Sequence, residues 1–135
     1  MLGLLADANI EGQLIRLVEI VEAGPWKEIW DSLDVSVRTF EELRLMHDVS
    51  DAALWRTCQR QNLVLVTANR NQLGPDSLEA VIRSQNTLES LPVLTLADPE
   101  RVMSDRRYAR RVAERLLEYL FEIDRYRGSG RLFLP

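Results

Sequence analysis

The run Leu63-Val64-Leu65-Val66-Thr67 constrains the fold of this chain more than any other segment. It is short and unbroken, rich in branched side chains, and bounded by Gln61-Asn62 before it and a polar stretch from Asn69 to Pro75 after it. Such a run predicts a strand covered on both faces, which places it in the centre of a parallel sheet. A sheet of that kind needs helices on both sides. With 135 residues, 46% of them hydrophobic, the chain can supply the core of one such domain without disulfides.

The flanking segments read accordingly. Leu2 to Ala6 is a short apolar strand, followed by Asp7-Ala8-Asn9 and then by Ile10, Leu14, Leu17, Val18 and Val21 at helical spacing up to Gly24-Pro25. Asn9 suits the N-cap of that helix. Val35 and Val37 suggest a second, weaker strand. Ser50 is expected to cap a helix carrying Leu54, Trp55 and Cys58 on one stripe, ending near Gln61-Asn62. Asp76, with Glu79 three residues on, resembles a capping box for a helix to about Gln85, and Pro92 to Leu96 reads as another buried strand. A long helix is predicted from about 104 to 125, with Ala109, Val112, Ala113, Leu116, Leu117, Leu120 and Ile123 on one face, and the tail Arg131 to Leu134 as an extended edge. Alternating strands and helices imply a single domain over 1–135, a three-layer α/β/α sandwich with a mostly parallel sheet and right-handed crossovers.

Cys58 is the only cysteine and His47 the only histidine, so neither a disulfide nor a zinc finger can form within the chain. This fits a reducing, cytoplasmic setting, as does the lack of a basic leader or an apolar stretch of membrane-spanning length. The net charge of −4 argues against broad attraction to nucleic acid, yet residues 100–115 hold six arginines against three acids.

In an open parallel sheet, ligands bind beyond the carboxyl ends of the strands. The residues there are Asp7 and Asn9 after the first strand, Asn69 to Asn71 after the central one, and Asp98 after the last. Asp51 opens the helix before the central strand; helix starts and strand ends are expected to differ in side, so alternation alone does not bring it beside Asp7. Carboxylates converging on one pocket bind Mg²⁺ or Mn²⁺, which activate water and stabilise charge on a phosphodiester. Each acid also has a plainer role: Asp7 as a turn residue, Asp51 at a helix N-terminus, Asp76 as a cap, and Asp98 before Pro99 as a turn.

Three blocks, Leu4-Leu5-Ala6-Asp7-Ala8-Asn9, Ser50-Asp51-Ala52-Ala53-Leu54 and Val64-Leu65-Val66-Thr67-Ala68-Asn69-Arg70-Asn71, resemble in order and spacing those of small bacterial PIN-like proteins. The resemblance covers roughly residues 2–96. It implies a PIN-like fold and hydrolysis of RNA phosphodiesters at a site holding Mg or Mn, with Asp7 and Asp51 as metal-binding acids. It also brings the possibility of a protein partner such as an antitoxin, in a toxin-antitoxin pair. The third block departs from the family pattern, since Asn69 and Asn71 stand where that pattern has aspartates. Asparagine can ligate a metal through its carbonyl oxygen but adds no charge. The expected catalytic set is therefore Asp7, Asp51, Asn69 and Asn71, with Asn9 and Arg70 as substrate contacts, and Asp76 or Glu79 supplying the missing carboxylate. The alternative is a catalytically degenerate member that binds RNA or protein without cleaving it.

No Walker loop, dinucleotide fingerprint or nucleophile elbow occurs, and Cys58 lies on an apolar stripe that suits packing. The arginines of the last helix are expected to form an ion-paired, solvated face, with Arg110 and Arg111 each pairing Glu114. Phe121 falls on that polar side, which suggests a homo-oligomer through its neighbourhood or through Leu132 to Leu134.

Overall fold

In a computed structural model, which describes residues 1–68, 74 and 77–135, five strands form one sheet. They are β1 (Gly3–Ala6), β2 (Ser36–Arg38), β3 (Leu63–Thr67), β4 (Val93–Leu96) and β5 (Arg131–Leu134). The spatial order is β2-β1-β3-β4-β5 and every neighbouring pair is parallel. As the apolar run required, β3 is buried along its whole length between β1 and β4. Gly3 is needed where β1 passes its neighbours, because a Cβ there would lie 2.5 Å from a Leu63 methyl and 3.1 Å from the Ser36 carbonyl oxygen.

Two layers of helices cover the sheet. One packs α1 (Glu11–Ala23), α2 (Lys27–Leu33), α5 (Pro99–Ser104) and α6 (Arg106–Phe121) over Leu4, Val64, Val66, Leu94 and Leu96. The other packs α3 (Asp51–Arg60) and α4 (Leu78–Gln85) over Leu5, Leu63, Leu65 and Val93. Successive strand residues point to opposite faces, so each strand feeds both cores. The architecture is the expected three-layer α/β/α sandwich. No helix among the described residues is long and apolar enough to cross a membrane.

Several local expectations need correction. Asn9 does not cap α1: Asp7 accepts from the Ala8 N–H at the head of a 3₁₀ turn over Ala8–Ile10, and Asn9 is exposed on that turn. The cap of α4 is Ser77, which accepts from the Ala80 N–H, in place of Asp76. The long helix predicted over 104–125 is α6, which stops at Phe121, with a separate short helix, α5, ahead of it. Asp105 takes extended backbone angles between α5 and α6 and caps the latter at Tyr108, while Ile123–Tyr126 form a 3₁₀ turn. Neither expected pair with Glu114 forms; the ion pair on this face is Arg115 with Glu118.

The crossovers also differ from the expectation of one hand. The chain passes from β1 to β2 in one direction through the α1 layer, and from β2 to β3 and β3 to β4 in the other direction through the α3 layer; these three share a hand. From β4 to β5 it keeps that second direction but returns through the α1 layer, so this crossover has the opposite hand. The preference for one hand arises when a strand feeds a helix that packs straight back on the sheet. Residues 97–130 instead form a long connection of two helices and a turn, with α6 lying across α1 and α2.

Candidate functional site

The helices after β1 and β3 lie on opposite faces of the sheet, so the chain diverges between these adjacent strands at their carboxyl ends. In a sheet ordered 2-1-3-4-5 this is the switch point at which ligands bind. Asp7 follows β1 and the buried Thr67 ends β3 at this point. The Asp7 backbone N–H continues the ladder to the Val66 carbonyl (2.9 Å), which fixes the carboxylate at the edge. Its Oδ1 accepts from the Ala8 N–H (2.8 Å) and its Oδ2 from the Thr67 hydroxyl (3.0 Å). Each oxygen has two lone pairs, so both retain capacity toward a cation or a water.

Asp51 is at the same edge. A helix connecting parallel strands begins where the preceding strand ends, so the start of α3 belongs with the carboxyl ends of the strands; treating the two as different sides is incorrect. Ala8, beside Asp7, packs against the cluster that contains Ala52, beside Asp51. One oxygen of Asp51 accepts from the Leu78 N–H (3.1 Å), tying the start of α3 to the start of α4. The acid thus satisfies one of the open donors of a helix terminus. Among the described residues, no three His, Cys, Asp or Glu side chains gather as a metal cluster. Asn69, Arg70, Asn71 and Asp76 lie outside the described residues.

Glu79 is engaged elsewhere. Its carboxylate meets the Arg131 guanidinium at 3.3 Å, and Arg131 also donates to the Thr95 hydroxyl at 2.6 Å. Thr67 and Thr95 are register partners and fully buried, and Arg131 enters from β5 on the same face. Asp7, Thr67, Thr95 and Arg131 therefore form a polar line across the sheet beneath α3 and α4. Sequence reading missed the last three; its available signal was Thr95 inside the apolar Leu94-Thr95-Leu96. Asp98 has the plain role, accepting from the Arg101 N–H at the head of α5.

Cys58 lies under this line in the α3 layer and is buried. Burial pushes its thiol up to about 12, and the nearby Asp7 charge adds to the shift, so the thiol stays protonated and packs as an apolar group. His47 is exposed and stacks edge-on to Phe40.

The residues fit a hard cation in part. Asp7 and Asp51 each accept a backbone N–H, and Asp7 the Thr67 hydroxyl as well, but carboxylate oxygens keep further lone pairs for a cation. Comparison with known families, curated proteins and solved structures returned no match.

Proposed function

We propose that the switch point between β1 and β3 is a divalent-metal site, with Mg or Mn held chiefly by Asp7, and that the protein hydrolyses RNA phosphodiesters there. The observation that carries this reading is a carboxylate at the switch point of the sheet, hydrogen bonded yet with lone pairs in reserve. A bound divalent ion would supply an activated water and neutralise charge on the phosphodiester. Asp7 would contribute most of the charge that attracts the ion. Thr67, by donating to Oδ2, holds the carboxylate in one orientation. Asp51 adds a second negative charge at the same edge while fixing α4. Asn69 and Asn71 would serve as neutral ligands or substrate contacts, and Arg70 and Asn9 as contacts to the RNA backbone.

One observation favours a second reading, a binding module of the same fold. Asp7, Asp51 and Glu79 each already have structural partners, in Ala8 and Thr67, in Leu78 and in Arg131, as expected of acids that hold the fold together. Cleavage of a labelled single-stranded RNA in Mn²⁺ separates the two. The parent is expected to cut and Asp7→Asn to lose at least about tenfold to a hundredfold, since even outer-shell partners of a metal are worth that much. RNA retention without cleavage by the parent would select the module.

A further inference from the structure

Helix α6 has an outer stripe beside α1 and α2 that is split by charge. Its first half presents the exposed Arg106 and Arg110, and its second half the exposed Glu114 and Glu118, followed by Phe121, which is 62% exposed. Two apolar hollows flank this stripe, with Trp26 lining both. A groove of about 360 Å³ runs along Ile20, Ala23 and Pro25 under the rim of Arg106 and Arg110. The second, about 200 Å³, lies between Ile29, Leu117 and Phe121 under Glu114 and Glu118. The arginine rim has no ion pair among the described residues; Arg110 rests over the Trp26 ring at 5.4 Å.

We propose that this stripe binds a second copy of the chain, α6 against α6 in antiparallel orientation about a two-fold axis level with Val112. That axis brings Arg110 opposite Glu114 and Arg106 opposite Glu118 in a single register, because both pairs are centred on residue 112. Each contact occurs twice, as an isologous interface requires. The same operation carries Phe121 of one copy toward the partner's arginine-rimmed groove, so the exposed ring meets a hollow and the acidic end meets the basic one. Antiparallel helices also place opposite dipole ends side by side. The helix's own charge order selects the occupant: a parallel arrangement would set arginines against arginines.

Of the tail, only Phe133 is left exposed, on the edge strand β5. Leu134 is fully buried and Leu132 packs on the core within β5.

Sedimentation of the full chain at micromolar concentration tests the assignment. The parent is expected to be a dimer. Arg110→Glu and Glu114→Arg should each weaken dimerisation about tenfold or more by setting like charges opposite each other, and Phe121→Asp should do at least as much. The double variant Arg110→Glu with Glu114→Arg should dimerise like the parent, because the two-fold swaps both charges together. Circular dichroism on each variant checks that the fold is kept. A parent that remains monomeric to about 100 μM, far above the dissociation constants of specific dimers, would overturn the proposal. So would a dimer that survives Phe121→Asp and Arg110→Glu, or a double variant that stays monomeric.

Discussion

Replacing Val64 by Asp is expected to leave no folded protein at pH 7. Val64 is fully buried in the middle of β3, with Leu4 of β1 as its register partner. A carboxylate cannot stay ionised there without a partner. Taking up a proton at pH 7 from an ordinary aspartate costs about 4 kcal/mol. An unsatisfied acid hydroxyl adds about 1–3 kcal/mol, and the lost apolar burial about 1.5 kcal/mol more. The total approaches the roughly 5–15 kcal/mol that holds a domain of this kind together. The pH dependence follows in sign: the buried carboxyl would have a raised pKa, so the protonation cost is absent below about pH 4 and grows as pH rises above it. Urea unfolding at pH 4 and pH 7 checks this. Val37→Asp on the edge strand β2, where the side chain is half-exposed, is the control and should change stability little. Equal melting of Val64→Asp and parent would contradict the central place of β3.

Arg131→Met should cost about 3 kcal/mol and lower Tm by roughly 10 °C. The Arg131 side chain is 10% exposed and Glu79 28%, so removing the cation leaves a largely buried carboxylate and a buried threonine hydroxyl without their donor. The change also releases the only charged link between β5 and the start of α4 among the described residues. Arg131→Lys should recover less than half of the loss, because one ammonium replaces the fork that reaches Glu79 and Thr95 together. Glu79→Gln keeps an acceptor and should cost less than Arg131→Met. Thermal melts of the three variants rank them, and an Arg131→Met protein as stable as the parent would remove the pair from the account of how β5 is held.

The parts of the fold that were legible in the sequence are those dominated by burial. The run at Leu63 to Thr67 could not be exposed on either face, and Pro92 to Leu96 behaved alike. Apolar spacing failed where the chain turns but stays buried: Ile123 sits in the core as a continuous helix would place it, so the spacing does not register the end of α6 at Phe121. Caps failed by one or two positions where neighbouring residues were equally able to cap, as with Asp76 and Ser77, or Asp7 and Asn9. At the site, Asp7 was legible as an acid directly after a strand. Thr67, Thr95 and Arg131 were not, because their association depends on strand order; Arg131 lies 36 residues from Thr95 and 52 from Glu79 in the chain.

Crystals soaked in Mn²⁺ and measured at the manganese absorption edge test the metal site most directly. An anomalous peak about 2.0–2.6 Å from an Asp7 carboxylate oxygen is expected, the range of hard-cation bonds to oxygen. It should strengthen in Asn69→Asp or Asn71→Asp, which add a charge, and vanish in Asp7→Asn. A peak lost in Asp76→Asn would assign the third carboxylate to Asp76. Crystals of the parent, Asn69→Asp and Asn71→Asp that all lack a peak at Asp7 would contradict the metal site and leave the binding module in its place.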